Sequence, residues 1–299
     1  MINKAIIPAA GYGTRLLPIT KILPKAMVPL LTKPAIQYII DELVSAGVNH
    51  VIIITGWKEN LIKEYYRSEP KEMIKWLSSI DRGDVIDYIK SLVPEKVNIM
   101  FKKQEVLDGL AGAIVRGYTF LGDDNFIVSL GDNIIIEKET GSLIRDMIKV
   151  HEKFNASVTL AVAEIPREKV EKFGVIGYSK SFSTDGIKVY EVNELREKPP
   201  INEAPSNLAI VGRYILSSES ITYLKNAPII KGELSETDAF KKMIDDGHKV
   251  LAVDLGEREW YDIGSVDEYI KASIHLAFLR DKHFGYKLLE WMRDKFLKK

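Results

Sequence analysis

The sequence predicts an α/β fold whose central sheet is mixed but mostly parallel and carries helices on both faces. Two observations lead to this prediction. Short apolar runs that suit buried strands alternate with stretches of helical periodicity through the first half of the chain. The chain also has 299 residues, of which 46% are hydrophobic, so it can bury a substantial core. We therefore expect a single globular domain over residues 1–299.

The elements of the first half follow from these runs and from the glycines and prolines between them. Pro34 and Gly47 bracket a helical stretch, because proline suits the first turn of a helix and glycine suits the position after its last turn. Pro70 and the tripeptide 81–83 divide residues 58–92 into short surface helices. The predicted strands are 4–9, 50–55, 97–101, 125–130 and 157–163, and the predicted longer helices are 34–46, 109–118 and 141–154.

The second half has a different pattern. Apolar runs at 175–176, 187–192 and 208–216 are separated by loops rich in glycine, proline and asparagine, so we expect strands to dominate there. Helical periodicity returns at 237–246, 266–279 and 286–297.

The overall charge and the lack of cysteine narrow the possible functions. The chain has 42 lysines and arginines and 42 aspartates and glutamates, so its formal net charge is zero. It therefore lacks the overall positive charge that attracts nucleic acid or an anionic membrane. Without cysteine, disulfides, thiolate metal sites and a cysteine nucleophile are excluded. The first apolar run is too short for a signal peptide, and no segment approaches the roughly 20 apolar residues of a membrane span. We therefore expect a cytoplasmic protein that binds neither nucleic acid nor membrane.

A glycine-rich loop, Gly11-Tyr12-Gly13-Thr14-Arg15, directly follows the first predicted strand. Glycine lets backbone N–H groups approach phosphate oxygens, because it has no Cβ to block them. The loop is not a dinucleotide fingerprint, since Leu16 occupies the place of the third glycine, and the P-loop motif is absent. A bare G-x-G loop could be a solvated turn, but Arg15 and Lys25 add two cations that suit a triphosphate.

Residues 11–18 carry the motif G-x-G-T-R-L-x-P, and Pro24-Lys25 follows it. In these residues the chain resembles the nucleotide-sugar pyrophosphorylase family. The resemblance implies a three-layer, Rossmann-like nucleotidyltransferase fold, with a nucleotide-binding half over about 1–135, a sugar-binding half over about 136–265 and C-terminal helices over about 266–299. The residues that it implies for the nucleotide are Ala10, Gly11, Gly13 and Thr14, with Arg15 and Lys25 on the phosphates.

Gln104 stands shortly before Gly109, which opens a predicted helix. A glutamine amide has one donor and one acceptor edge, so it can pair with the O4 and N3–H groups of uracil or thymine. By resemblance, Gln104 and Gly109 bind a pyrimidine base. The other interpretation is a surface glutamine before a helix-capping turn.

Asp132 follows the predicted strand 125–130, which places it at the carboxyl end of the sheet, where open α/β sheets bind ligands. Mg²⁺ is usually held by one or two carboxylates together with phosphates of the substrate. Asp132 suits that task, and Asp262 resembles the family's second metal-binding aspartate. We therefore expect Mg²⁺ as the cofactor, with Asp132 and Asp262 as its ligands.

Gly174 and the pair Glu197-Lys198 match the family's sugar-side motifs. A carboxylate such as Glu197 accepts hydrogen bonds from sugar hydroxyls, and a lysine such as Lys198 offers a point charge to a sugar phosphate. Gly174 would allow close backbone approach. The alternative is an exposed ion pair before a proline turn.

Together these matches imply transfer of a uridylyl group from UTP to glucose-1-phosphate, with Arg15, Lys25, Asp132 and Lys198 as catalytic residues. Residues 204–214 resemble the uridylyltransferase branch of the family, whereas residues 108–111 and 130–133 resemble the thymidylyltransferase branch. The donor dTTP therefore stays an alternative, alone or beside UTP. A non-catalytic binding protein of this fold would be expected to lose the charged residues that are present here.

The last predicted helix has one apolar face, formed by Leu288, Leu289, Met292 and Phe296. The face could pack on its own domain or form a subunit interface. Because members of the family often assemble through such elements, the resemblance implies a homo-oligomer, either a dimer or a tetramer.

Overall fold

The computed structural model describes residues 2–297. Strands and helices alternate along these residues, much as the sequence predicts. Apolar runs without polar interruption become buried strands, and most helices begin at a proline, glycine, serine or acidic residue. The helices are α1 (Ala35–Ser45), α2 (Glu59–Arg67), α3 (Lys71–Ser79), α4 (Gly83–Ser91), α5 (Gly109–Tyr118), α6 (Ser142–Phe154), α7 (Ser220–Lys225), α8 (Glu236–Asp245), α9 (Val266–Arg280) and α10 (Lys282–Met292).

The strands divide into long ones that build the central sheet and short ones that form small side sheets. They are β1 (Lys4–Ala9), β2 (Pro29–Leu30), β3 (Lys33–Pro34), β4 (His50–Thr55), β5 (Asn98–Lys103), β6 (Phe126–Ser129), β7 (Asn133–Ile136), β8 (Val158–Glu164), β9 (Gly174–Thr184), β10 (Ile187–Glu197), β11 (Leu208–Leu216), β12 (Ile229–Ile230), β13 (Glu233–Leu234), β14 (Val250–Asp254) and β15 (Glu259–Asp262).

Within residues 2–297, the central sheet has nine strands in the order β5-β4-β1-β6-β11-β8-β14-β10-β9. The first four strands are mutually parallel, and β14 is parallel to β8. Strand β11 runs antiparallel to β6 and β8, and β10 runs antiparallel to β14 and β9. A central sheet with packed helices confirms the predicted α/β class.

Alternate side chains of β1 enter two different hydrophobic cores. Ala5 and Ile7 pack with α1 and α6, whereas Ile6 packs with α5 and α8. The alternation follows from strand geometry, which points successive side chains to opposite faces of a sheet. Each core contains helices, so the sheet is covered on both faces.

A buried ion pair ties α1 to the middle of the sheet. Arg213 on β11 is 0% exposed and donates to Glu42 from Nε, at 3.0 Å, and from Nη2, at 2.7 Å. Nη2 also donates to the backbone carbonyl of Asn133, at 2.8 Å. Burial raises the pKa of Glu42, and the Arg213 guanidinium opposes that rise.

The structure differs from the sequence prediction at short elements and at one helix boundary. The helix α7 and seven strands were not predicted: β2, β3, β7, β12, β13, β14 and β15. Strand β9, predicted only at 175–176, continues to Thr184 because it pairs along its length with β10. The last helix was predicted from residue 286 but begins at Lys282, because the Asp281 carboxylate accepts from the N–H groups of His283 and Phe284 at 2.9 and 3.1 Å. Its end, Arg293–Leu297, winds as a π-helix. Over residues 2–297, none of the helices combines the length and apolar character needed to cross a bilayer.

Candidate active site

The glycine-rich loop and Asp132 meet because they follow neighbouring parallel strands. Strand β1 ends just before the loop, and β6 ends just before Asp132, so both segments leave the same edge of the sheet. Gly131 donates to the backbone carbonyl of Pro8 at 3.1 Å. A Cβ at Gly131 would lie 2.9 Å from that same oxygen, so only glycine allows this approach.

The loop packs against the segment that carries Lys25. Gly13 has a φ of 65°, and a Cβ there would lie 3.0 Å from Cγ2 of Thr20 and 3.1 Å from Cβ of Lys25. The Thr20 hydroxyl donates to the carbonyl of Gly13 at 2.9 Å, which holds the two segments together. Lys25 then opens a short 3-10 turn, Lys25–Met27, behind the loop.

Lys25 and two carboxylates form a compact cluster. The ammonium of Lys25 pairs with the carboxylate of Asp132. Asp262 ends β15, which lies beside β7, and the N–H of Ile263 donates to the carbonyl of Asp132 at 3.0 Å. Burial and the neighbouring Asp132 raise the pKa of Asp262, and Lys25 opposes the rise. The N–H of Gly264 donates to Asp262 Oδ1 at 2.9 Å, which fixes that carboxylate.

Two residues that the sequence did not single out orient Asp132. The Asn133 side chain donates to Asp132 Oδ1 at 3.0 Å, and Trp260 Nε1 donates to Asn133 Oδ1 at 2.6 Å. Asn133 is buried and Trp260 half-buried. These two hydrogen bonds hold the Asp132 carboxylate in a defined position, as a group that binds charged ligands requires.

Gln104 is buried, and its amide nitrogen is already engaged. Nε2 donates to Asp108 Oδ1 at 2.8 Å and to the carbonyl of Gly109 at 3.1 Å. Arg116 donates to the same Asp108 oxygen at 2.7 Å. Burial raises the pKa of Asp108, but the hydrogen bonds from Gln104 and Arg116 outweigh it and hold that pKa below its usual value. With Nε2 engaged in this way, Oε1 is the Gln104 atom most readily offered to a base, and the pairing of both groups with a base stays a prediction.

The sugar-side residues meet across the β9–β10 pair. Gly174 is the strand partner of Glu197, and a Cβ at Gly174 would lie 3.0 Å from Glu197 Oε2. Thr237, at the start of α8, donates to the same oxygen at 3.4 Å. Lys198 has a φ of 46°, donates its N–H to the carbonyl of Phe173 at 3.0 Å, and pairs with Glu197 at 2.6 Å.

Two adjoining cavities, of about 590 and 520 Å³, receive these side chains. Lys25 and Asp132 line both cavities and so stand at their junction. The predicted site residues that line the first cavity are Gly11, Gly13, Thr14, Arg15, Lys25, Asp132, Gly174, Glu197, Lys198 and Asp262. Those that line the second are Ala10, Gly11, Gly13, Thr14, Lys25, Gln104, Gly109 and Asp132. Every predicted site residue thus reaches one of the two cavities.

Further residues line the cavities, although the sequence did not identify them as site residues. Tyr214, on β11, is 5% exposed and lines the first cavity. Glu233 and Glu236 line both cavities from the strand β13 and the start of α8. Ser235 caps α8 by accepting from the N–H of Asp238 at 3.3 Å. The S-x-x-D capping pattern could have located this helix start, but it carries no hint that Glu236 faces a ligand cavity.

Known proteins resemble the chain in sequence and in fold. Residues 4–277 match the family model described as Nucleotidyl transferase. A UTP–glucose-1-phosphate uridylyltransferase of Bacillus subtilis is 35% identical over 97% of this chain and 96% of its own length. The UTP–glucose-1-phosphate uridylyltransferase 2 of Staphylococcus saprophyticus is 36% identical over 98% of this chain and 97% of its own length. A solved UTP-bound UGPase from Acinetobacter baumannii is 30% identical, covers 98% of this chain and 99% of its own, and superposes with a TM-score of 0.87.

Proposed function

The chain belongs to the nucleotidyl transferase family, and from this premise we propose that it is a UTP–glucose-1-phosphate uridylyltransferase. The reaction joins UTP and glucose-1-phosphate to give UDP-glucose and pyrophosphate. The observation that carries the proposal is the near full-length similarity to enzymes of that name. The two adjoining cavities support it, because one can take the nucleotide and the other the sugar phosphate.

The chemistry is an in-line displacement at the α-phosphorus. An oxygen of glucose-1-phosphate forms the new P–O bond, the bond from the α-phosphorus to the bridging oxygen breaks, and pyrophosphate leaves with that electron pair. The attacking phosphate is already anionic at neutral pH, so no general base and no covalent enzyme intermediate are needed. The protein aligns the two substrates and neutralises charge on the phosphates.

Three cations suit the phosphate groups. Arg15 is exposed at the rim of the first cavity, and Lys25 lies at the junction of the cavities, so together they steady the triphosphate and the departing pyrophosphate. Lys198 lies beside Glu197 on the sugar side, where it holds the phosphate of the attacking sugar. Glu197 then remains to accept hydrogen bonds from sugar hydroxyls.

Asp132 and Asp262 fit a Mg²⁺ ion. Asp132 directly precedes β7, and Asp262 ends the adjacent strand β15; two carboxylates beside a cavity proposed to take phosphates form the donor set that Mg²⁺ uses in nucleotide enzymes. When bound, Mg²⁺ supplies positive charge to the phosphate oxygens. Burial first, and then the neighbouring Asp132, raise the pKa of Asp262, and a bound cation would oppose both effects. We therefore keep Mg²⁺ as the proposed cofactor.

The choice between UTP and dTTP depends on more than Gln104. Its Oε1 can accept the N3–H of either base, because uracil and thymine share that group. The two bases differ by one methyl, which a pocket distinguishes by only about 1–3 kcal/mol. We propose UTP as the preferred donor because of the relatives' shared name, with dTTP as a slower alternative.

The C-terminal helices fit a subunit interface. On the predicted apolar face, Leu289 and Phe296 are 48% and 62% exposed, and Trp291 beside it is 56% exposed. Such a concentration of exposed aromatic and aliphatic groups commonly marks a protein–protein interface. We propose that the protein assembles into a homo-oligomer through this face.

A pyrophosphate-release matrix tests the reaction. The purified chain is incubated with Mg²⁺ and every combination of UTP, dTTP, ATP, CTP or GTP with glucose-, galactose-, mannose- or N-acetylglucosamine-1-phosphate. We expect the fastest release with UTP and glucose-1-phosphate, and slower release with dTTP. Absence of release with every pair would refute the enzyme assignment, and a clear preference for another pair would replace the substrates.

A further inference from the structure

One acidic side chain in the cavities has no part in the proposed chemistry. Glu236 is the first residue of α8 and lines both cavities. It is half-buried, and its carboxylate contacts its own backbone N–H but has no other hydrogen-bond or ion-pair partner among residues 2–297. Taking a carboxylate out of water without a partner is costly, so such a group usually serves a ligand.

Glu236 precedes Thr237, which donates to the sugar-side carboxylate of Glu197 at 3.4 Å, and it lines the same cavity as Glu197 and Lys198. The residues that act on it electrostatically are Glu197, Lys198 and Glu233. Burial and the two other glutamates raise the pKa of Glu236 to about 7, and Lys198 opposes them while it is already paired with Glu197. Tyr214 lines the same cavity, and burial first, then Glu236 and Glu197, raise its pKa.

An ionised carboxylate in this position favours a sugar hydroxyl over a phosphate. The ionised form of Glu236 would repel a phosphate oxygen, and the phosphates already have Lys25 and Lys198 in the proposed reaction. A sugar ring offers several O–H donors that need an acceptor once they are removed from water. Glu197 supplies one such acceptor, and Glu236 supplies a second from a different element.

We propose that Glu236 is a specificity-determining residue that accepts a hydrogen bond from one ring hydroxyl of the sugar phosphate. The inference rests on the proposed function, since it assumes that a sugar phosphate occupies the first cavity. Glu236 would add a sugar contact from α8 to the contacts that we expect from Gly174 and Glu197 on β9 and β10. If Glu236 accepts from one ring hydroxyl, removal of that hydroxyl should weaken binding of the sugar phosphate.

The test compares the wild type with Glu236→Leu and Glu236→Gln on glucose-1-phosphate and its 2-, 3-, 4- and 6-deoxy forms. Calorimetry gives Kd for each sugar phosphate, and pyrophosphate release with UTP gives KM and kcat. We expect the wild type to bind one deoxy form about 10- to 100-fold more weakly than glucose-1-phosphate, the range of a hydrogen bond to a charged group. In Glu236→Leu that difference should fall below about 3-fold, with KM raised and kcat little changed.

Glu236→Gln keeps an acceptor oxygen, so it should recover part of the discrimination that the leucine variant loses. Asp245→Asn is the control, because it removes one negative charge from the exposed far end of the same helix. That variant should discriminate the deoxy forms as the wild type does. Unchanged discrimination at all four positions in both Glu236 variants would overturn the inference.

The binding measurement separates this inference from the proposed reaction. If the wild type releases no pyrophosphate but binds the sugar phosphates with Glu236-dependent discrimination, the reaction is wrong and the contact stands. If the wild type turns over while discrimination is independent of Glu236, the contact is wrong and the reaction stands. Failure of the wild type to bind glucose-1-phosphate, alone and with UTP present, would overturn the contact as well.

Discussion

Lys25 and Asp132 form an ion pair at the junction of the two cavities, and both side chains are 23% exposed. Replacing Lys25 by alanine removes the cation that neutralises Asp132 and that we assign to the triphosphate. We expect Lys25→Ala to lower kcat by about 100- to 1000-fold, the range for one electrostatic group in a preorganised site. Pyrophosphate release gives kcat, and circular dichroism checks the fold.

The control is Lys21→Ala, which changes an exposed lysine of the same segment and should keep normal turnover. Near-normal turnover in Lys25→Ala would remove Lys25 from the mechanism.

Gly264 sits where any side chain would displace that lysine. A Cβ at position 264 would lie 2.5 Å from Lys25 Nζ and 2.8 Å from Asp262 Oδ1. The lysine end can swing away, so Gly264→Ala should leave the fold stable and lower kcat by about 10- to 100-fold through misplacement of charged groups. Gly83→Ala is the control, because a Cβ there meets nothing within 4 Å. Equal activity of the two variants would show that the position of Lys25 is not critical.

His151 makes stability depend on pH. It is 1% exposed, its Nδ1 lies 2.9 Å from Thr159 Oγ1, and burial lowers its pKa to about 4. The unfolded chain, with an ordinary histidine pKa near 6.5, therefore binds more protons between pH 6.5 and pH 4, so acid favours unfolding in that window. The stability of the fold with a neutral His151 is therefore fully present above pH 6.5. It falls by about 1.4 kcal/mol per pH unit as the pH falls toward 4.

Urea unfolding at pH 7, 6 and 5 measures that slope. His151→Gln removes the titrating group, so the free energy of unfolding of the variant should fall less steeply with acid than that of the wild type. His50→Gln, which changes an exposed histidine, should keep the wild-type slope. Identical slopes in His151→Gln and the wild type would mean that other groups cause the acid sensitivity.

The pair of Arg213 and Glu42 should be important for stability. Glu42→Ala leaves a fully buried guanidinium without its carboxylate, and breaking a buried pair in this way costs about 3–5 kcal/mol. Urea unfolding at neutral pH measures the loss. Glu257→Ala, which breaks an exposed pair with Lys138, should unfold at nearly the wild-type urea concentration. A similar midpoint for both variants would contradict this interpretation.

The apolar face of the C-terminal helices predicts assembly. Light scattering should give a mass that is a multiple of the 33.8 kDa chain. Trp291→Glu, which places a charge on the 56% exposed Trp291, should shift the mass toward one chain. Trp76→Glu is the control, because Trp76 is 60% exposed but lies on a different helix, α3. A single-chain mass for the wild type would reject the oligomer.

The sequence predicted best the elements whose ends carry a local signal. The bounds of β1, β4 and α5 were predicted without error, because uninterrupted apolar runs or a leading glycine delimit them. The strands β7, β14 and β15 are only four or five residues long, and their pairing partners lie far away in sequence. Such strands are formed by tertiary contacts, which short apolar runs do not reveal.

The site was predictable where a motif names the chemistry. The loop 11–15, Lys25, Asp132 and the pair at 197–198 were found from residue pattern and resemblance, and all reach the cavities. Glu236 was not found, because the other residues that line its cavity, such as Glu197, Tyr214 and Glu233, come from three other elements. The roles of these residues, the Mg²⁺ ion and the cytoplasmic location remain predictions.

Strand β11 carries residues for two opposite tasks side by side. Arg213 points to the α1 side, where it meets Glu42, and Tyr214 points to the other face, where it lines the cavity. If β11 slipped by one residue against its neighbours, every side chain would change face. Glu42 would then be buried without a cation, and a guanidinium would stand where the tyrosine ring belongs. The ion pair therefore penalises misaligned strand pairing and keeps the wall of the cavity in its correct alignment.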